Sequence, residues 1–562
     1  MKDGSSSTLK GAIIFLFLLI QAFIASSPLL EDGWFLSHDA TWHLDRLVAV
    51  AHELDLGDYY PRWLSTAAFG KGLPVLNYYS PGIYLIAGYL HVFGVSLLLS
   101  LKIMCISLFF LGSLGMFLWV RRHCALFGAL IAATLYTFVP YHFVDIYVRG
   151  AIPEFAAMAL LPFLFYGIDR MFSEYSYFSG ILLTGATTAL IIVTHNLSAF
   201  MIMPFALVYF TWCVYAVKPP LRKIAICASG PILGLGLSAA YWLPATTEIG
   251  YLAHFKESIL SFSYILNFIQ PTDWFSSRWG FGFAFPKGNA TMSFQIGYVL
   301  SVFVLMSTLT VLAIRGKERS FGLITLVLGM LGLFLTISPS AIIYDQVSLV
   351  QYVQFPWRYL GIATLFLSAL TGLSANWKYV GRIPHGPMIL LCCALGCSVL
   401  LSHTHREVLE KTSGDIDQIG RSRIVGKNIG VMSVGDEYLP KWSDESVIPL
   451  RFDEILLPFP STSTLKVDNV ETKGSKIRFR IESEGGVNLA VSQFYFPGWK
   501  ATIDGRYRPV AYTAEGFVTL TIPPGVHSVQ LWFGTTTPRI IGWLITIVTL
   551  LTLLFFKVRK KS

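Results

Sequence analysis

Along the chain, long apolar stretches alternate with short polar breaks, and most of the apolar stretches share one characteristic length. A run of about 17–25 mainly apolar residues is what an α-helix needs to cross the hydrocarbon core of a bilayer. About twelve such runs can be read, near residues 11–30, 96–120, 124–139, 152–169, 178–194, 198–217, 224–243, 295–314, 321–338, 358–375, 385–402 and 538–556. The pattern therefore predicts a polytopic α-helical membrane protein. Residues 81–94 are apolar too, but counting them as a full span would move Arg121 and Arg122 to the opposite face, so this stretch reads as an interfacial or re-entrant helix.

After residue 402 the period changes. Short runs such as STLKVDNV, KIRFRIES, VNLAVSQFYF and FVTLTI alternate apolar and polar positions and are separated by the turn sequences SEGG, PGW, DGR and PPG. This is the pattern of a β-sandwich-like domain. Asp504-Gly505, between KATI and RYRPV, predicts a two-residue hairpin. The expected organisation is a transmembrane domain over 1–402, a β-rich domain over 403–537, and a final span with a basic tail over 538–562. The first domain would carry two large outer loops, 31–94 and 244–294.

Composition agrees: 54% of residues are hydrophobic and 13% charged, with mean hydropathy +0.59, against roughly 25% charged in soluble domains. Lys2, Lys10, Arg121, Arg122, Arg170, Lys218, Arg222, Lys223, Arg315, Lys317, Arg319, Lys378, Arg382, Lys557 and the basic end of the chain fall at every second loop or terminus. The positive-inside rule then places both termini in the cytoplasm and the β-rich domain outside a cytoplasmic (inner) cell membrane. That distribution accounts for the net charge of +9 without a nucleic-acid partner. All seven cysteines fall in or beside predicted spans, so no structural disulfide is expected, and none has metal-ligand spacing with histidine. Ala25-Ser26-Ser27 offers a small-residue site after the first span, but the many later spans favour a retained anchor.

Candidate chemistry collects at the outer ends of the predicted helices. The first outer loop is unusually rich in ionisable groups, and Asp39, His43 and Arg46 would share one helical face if a helix started at Ser37 or His38, with Ser37 as its cap. That face is either a carboxylate site at the membrane surface or the wet side of an amphipathic interfacial helix. His52, Glu53, Asp55 and Asp58 read as solvated loop groups. Arg149 and Glu154, five apart across Gly150 and Pro153, form either a functional pair or an internal ion pair. His195 closes one span, as a site residue or a hydrogen-bonded helix end. Arg358 in QFPWR suits a phosphate oxygen, or anchors an aromatic belt. Lys102, inside the second span, is costly to place without a partner. An enzyme acting on a lipid phosphate at the membrane surface needs charges at helix ends, whereas a proton-driven transporter places acids near the midplane.

A span followed by a charged loop opening with Asp39, then GDYYPRW and GKGLPVLNYYSPGIYLIAGYLHVFG, then a span ending in Arg121-Arg122, resembles the GT-C glycosyltransferase superfamily. More closely, SHDATWHLDRL, YPRW, YYSPG, YVRGAIPE, THNLS, YWLPA and FPWR look like the bacterial and archaeal membrane family labelled 6-pyruvoyl-tetrahydropterin synthase-related. Nothing here supports a soluble pterin enzyme with its His-triad zinc site. The C-terminal YFPGWKATIDGRYRPV looks like the outer β-domain of GT-C-like proteins. The resemblance implies transfer of a hexosyl or pentosyl group from a polyprenyl-phosphate donor to a glycan, lipid or protein acceptor on the outer face. It implies Asp39 as the catalytic residue, accepting a proton from the acceptor hydroxyl or holding the acceptor or a metal. Lys102, Arg149 and Arg358 would be cations for the lipid phosphate, with Arg62 behind them. His43, Arg46, Glu154 and His195 would support or bind substrate. Many relatives carry an acid pair at the loop start, but Ala40 follows Asp39, which leaves open whether a divalent cation, Mg or Mn, takes part. The competing functions are a lipid-linked glycan flippase and a non-catalytic envelope or glycan assembly protein on the same scaffold.

Overall fold

The computed structural model describes residues 2–35, 37–173, 177–257, 263–276, 279–280, 292–403, 411–412, 429–430, 432, 436–448, 456–458 and 465–559. Within them the chain is a mostly helical membrane protein with a C-terminal β-sheet domain. Eight helices are long and apolar enough to cross a membrane, among them Leu97–Val120, Leu126–Arg149, Ile152–Met171, Asn196–Val217 and Pro356–Arg382. The bent pair Leu221–Leu237 and Ala239–Thr247 makes nine if it is one span. The remaining expected spans are helical as well, with physical reasons for falling short. Tyr298–Ala313 has 16 residues, Gly386–Leu401 is likewise short, and Lys317–Phe334 opens on Lys317, Glu318 and Arg319. The helix Gly82–Val92 has 11 residues, about 16 Å at 1.5 Å per residue, too short to cross alone.

The chain forms two compact units. The first comprises Met1–Ala40, Leu101–Ser238 and Phe262–Ser413. Its interior is aromatic: Trp119 stacks on Phe165 at 5.0 Å, and Tyr209 and Phe366 meet Phe165 edge-on. The helix Ile152–Met171 runs through this core and carries an acid near each end, Glu154 and Asp169. They lie about 22 Å apart along the axis. Asp169 accepts hydrogen bonds from Tyr209 Oη at 2.9 Å and pairs with His123 Nε2 at 2.6 Å.

The second unit comprises Thr41–Ser100, Ala239–Ser261 and Gly414–Ser562. Its β-domain has nine described strands: β1 Leu456–Pro458, β2 Leu465–Lys473, β3 Lys476–Ser483, β4 Val487–Phe494, β5 Trp499–Ile503, β6 Arg506–Arg508, β7 Ala511–Tyr512, β8 Phe517–Ile522 and β9 Gly525–Phe533. They form antiparallel sheets in the orders β1-β4-β8-β7 and β2-β3-β9-β5-β6. Strict alternation of exposed and buried residues along β3 puts Ile477, Phe479 and Ile481 inside, as period-2 patterning requires. The expected hairpin is present: Ile503 pairs with Arg506, and Asp504 and Gly505 have φ of 51° and 77°. The same unit contains a fully buried ion pair, with Arg539 Nη2 2.9 Å and Nε 3.0 Å from Glu248 Oε2. Asn77 donates to the same carboxylate at 2.8 Å and accepts from Arg62 at 3.0 Å.

Candidate active site

In the first unit, the segment before the helix Ile152–Met171 winds as a π-turn over Val144–Arg149 and ends on Gly150 with φ 69°. A Cβ at Gly150 would also lie 2.1 Å from Ser37 Oγ, so glycine serves both the left-handed turn and a close approach. The approaching chain is then tied down by its backbone. His38 N–H donates to the Val148 carbonyl at 3.0 Å and Asp39 N–H to the Arg149 carbonyl at 2.9 Å. Asp39 is therefore fixed beside the turn that carries Arg149.

Arg149 is buried, and its terminal nitrogens are both committed. Nη2 lies 2.8 Å from Glu154 Oε2, Nη1 bonds Asp145, and the guanidinium sits 4.6 Å over the Trp357 ring. Glu154 is a shared acceptor: Tyr141 Oη donates to Oε1 at 2.9 Å and Arg358 Nε lies 3.3 Å from Oε2. The terminal nitrogens of Arg358 make no hydrogen bond among the described residues, and its side chain keeps 15% exposure. The charge of Asp39, itself half-buried, acts on both Asp145 and Arg358. Three carboxylates and two guanidiniums thus occupy one neighbourhood.

His195 caps the helix Asn196–Val217, its Nδ1 accepting from Ser198 N–H at 3.3 Å. Burial, reinforced by Arg358 and Arg149 and opposed by Glu154, holds its imidazole down to about 4. It is neutral at physiological pH, with the proton on Nε2. Lys102 lies apart from these groups, its ammonium bonding the Glu31 carbonyl.

The other sequence-chosen residues belong to the second unit. His43 Nδ1 meets Tyr84 Oη at 2.6 Å, and Arg46 donates to the Met432 carbonyl at 2.5 Å while lying 4.0 Å over the Tyr79 ring. Arg62 donates to Asn77 and, at 2.5 Å, to the Ala240 carbonyl. Two expectations about this loop need correction. The helix starts at Ala40, so Ser37 is no cap and Asp39 precedes the helical face of His43 and Arg46. The reason is that the backbone of residues 38–39 is already engaged by Val148 and Arg149. Glu53 is not solvated: it is 1% exposed and accepts from Ser65 N–H at 2.9 Å, and burial pushes its carboxyl up to about 7.

Asp145, Tyr141 and the Glu248–Arg539 pair escaped sequence reasoning. A signal existed for the first: Tyr141, Asp145 and Arg149 recur every four residues, one helical face.

Residues 76–407, well over half the chain, match the family described as 6-pyruvoyl-tetrahydropterin synthase related domain, membrane protein. The chain belongs to the 6-pyruvoyl-tetrahydropterin synthase-related membrane family. This family member is also similar to an uncharacterized protein of Lactococcus lactis subsp. cremoris (strain MG1363), 24% identical over 254 residues, covering 44% of this chain and 39% of that one. Among solved structures, the arabinofuranosyltransferase AftD from Mycobacteria aligns with 71% of this chain and 27% of its own length, at TM-score 0.46 and 16% identity. The oligosaccharyltransferase of Archaeoglobus fulgidus aligns with 71% of this chain and 56% of its own length, at TM-score 0.44 and 12% identity. The chain thus spans well under two thirds of each of these proteins.

A divalent metal does not fit the donors around Arg149. Glu154 is taken up by Arg149 and Arg358 and Asp145 Oδ1 by Arg149, which leaves Asp145 Oδ2 as a single buried oxygen, and among the described residues no three His, Cys, Asp or Glu side chains are placed to hold an ion.

Proposed function

We propose that this protein is a GT-C-like membrane glycosyltransferase. It transfers a sugar from a polyprenyl-phosphate donor to an acceptor on the extracytoplasmic face. The observation that carries the reading is the fixing of Asp39 beside the Arg149–Glu154–Arg358 cluster, by backbone hydrogen bonds to Val148 and Arg149 at a turn whose Gly150 admits the close approach. The motif resemblance of the first outer loop supports it. In the reaction, the acceptor hydroxyl attacks the anomeric carbon and the bond to the lipid phosphate breaks, with inversion. The hydroxyl proton passes to the Asp39 carboxylate. The negative charge gathering on the departing phosphate is met by the two open nitrogens of Arg358, donors suited to a phosphate oxygen pair. Arg149 and Glu154 hold Arg358 in place, and neutral His195 offers an N–H.

One observation favours a second reading, a non-catalytic assembly protein on the same scaffold: Arg149 has both terminal nitrogens committed within the protein. The two readings separate with purified protein in nanodiscs and a panel of radiolabelled polyprenyl-phosphate sugars, followed by loss of label from the lipid fraction. The transferase reading expects turnover of at least one donor, reduced about 100-fold or more by Asp39→Asn, the scale of a lost general base. Absence of turnover for every donor, with or without divalent cations, leaves the assembly reading.

A further inference from the structure

The β-rich unit carries a cluster of aromatic side chains that its interior does not use. Trp442 meets Tyr495 edge-on at 5.1 Å between ring centroids, Tyr495 lies 5.1 Å from Tyr512, and Tyr251 lies 5.8 Å from Trp442. Phe496, fully buried, supports Tyr251 and Trp442 from beneath. The backbone joins the contributing segments: Lys441 N–H donates to the Tyr251 carbonyl at 2.9 Å, Asp444 N–H to Glu515 at 3.1 Å, and Tyr495 N–H to Gly516 at 2.7 Å. At Gly516, with φ +86°, a Cβ would lie 2.3 Å from the Trp442 carbonyl oxygen, so glycine admits this approach.

These rings are rigidly held yet open. Tyr512 is 51% exposed and the other three are half-buried. The hydroxyls of Tyr251, Tyr495 and Tyr512 and the indole N–H of Trp442 make no hydrogen bond to any described residue. Aromatic rings with an apolar face and a polar tip normally find a partner for that tip when they are packed for stability. The rim is mixed in charge: Asp444 and Glu445 are exposed, the latter beside His254 at 2.7 Å, while Lys441 lies over the Trp442 ring at 5.0 Å and the Tyr251 ring at 5.6 Å.

We propose that this platform binds an uncharged glycan. Pyranose rings would stack their C–H faces on Tyr512 and Tyr495 beside Trp442, with a sugar hydroxyl donating to Asp444 Oδ2, since Oδ1 accepts from Ser446 N–H at 2.8 Å, and others bonding the tyrosine tips. A sugar presents both an apolar face and a ring of hydroxyls, which suits rings with polar tips beside a carboxylate oxygen. The rival occupant is the bilayer interface, where tyrosine and tryptophan also gather, but an exposed carboxylate such as Asp444 beside the rings is matched by sugar hydroxyls and not by acyl chains.

The inference deepens the transferase reading, on which it rests only for the acceptor being a glycan. The test uses the full chain in nanodiscs, titrated calorimetrically with cellohexaose, maltohexaose, laminarihexaose and mannohexaose. Saturable binding of at least one is expected, weakened about 10-fold by Tyr512→Ala, an exposed position that leaves the fold intact, and by Trp442→Ala. No saturable binding of any of the four, or binding indifferent to both platform variants, overturns the proposal. So does selective quenching of Trp442 fluorescence by brominated lipid, read against Trp442→Phe, since it would put the platform in the bilayer. Intact oligosaccharide binding without sugar transfer would remove the transferase reading alone.

Discussion

Glu154 holds its cluster together, because Arg149, Arg358 and Tyr141 all reach one carboxylate. Removing one partner of a buried ion pair leaves the others uncompensated, at a cost of about 3–5 kcal/mol. Glu154→Ala should therefore lower the thermal unfolding temperature in detergent sharply. Arg358→Ala removes a group whose terminal nitrogens bond none of the described residues, so it should destabilise less while lowering kcat/KM for a polyprenyl-phosphate donor. If Arg358→Ala unfolds the protein as readily as Glu154→Ala and spares donor turnover, Arg358 is structural. Arg149, Glu154 and Arg358 were legible in the sequence because charge in an apolar chain is conspicuous and costly. Asp145 carried a signal too, its spacing four residues before Arg149, but the π-turn that brings the two together has no local mark. Glu53 differs: charged neighbours such as His52, Asp55 and Asp58 give it the look of a solvated loop, and Ser65 together with the turn around Gly474 and Ser475 in the β-domain, distant in sequence, closes over it.

Among the elements, those defined by local rules were legible. Helix length located the spans, and Asp504-Gly505 located the β5–β6 hairpin. The start of the helix Ala40–Asp55 was not, because the competing hydrogen bonds come from the π-turn at Val144–Arg149. That helix also carries the clearest pH dependence. The Glu53 carboxyl is raised from 4.5 to about 7 by burial, outweighing the hydrogen bonds from Ser65. A carboxyl raised in the folded state favours folding fully below pH 4.5, and that contribution is lost as pH rises through about 7. The loss is on the order of 3 kcal/mol. Differential scanning calorimetry should show the parent losing stability between pH 5 and pH 8, with Glu53→Gln flattening that slope and exceeding the parent at pH 8. A parent curve that does not fall over this interval would mean that Glu53 is ionised without penalty.

At the scale of the whole molecule, the second unit is assembled from three stretches far apart in the chain. The network Arg62–Asn77–Glu248–Arg539 bonds all three. No local pattern announces such packing, since each of these polar residues becomes tolerable only when the others arrive. What the sequence does carry at this scale is the asymmetry of Lys and Arg, and it makes a definite claim about sidedness. In a variant lacking the native cysteines, Asp504→Cys in the β5–β6 turn should react with a membrane-impermeant maleimide on intact spheroplasts. Lys378→Cys, in a basic loop, should react only after permeabilisation. Both positions are exposed, so accessibility within the protein does not limit either reaction. The reversed labelling pattern would put the β-domain in the cytoplasm, where an extracytoplasmic glycan could not reach the Trp442 platform, and the proposed acceptor would fail with the orientation.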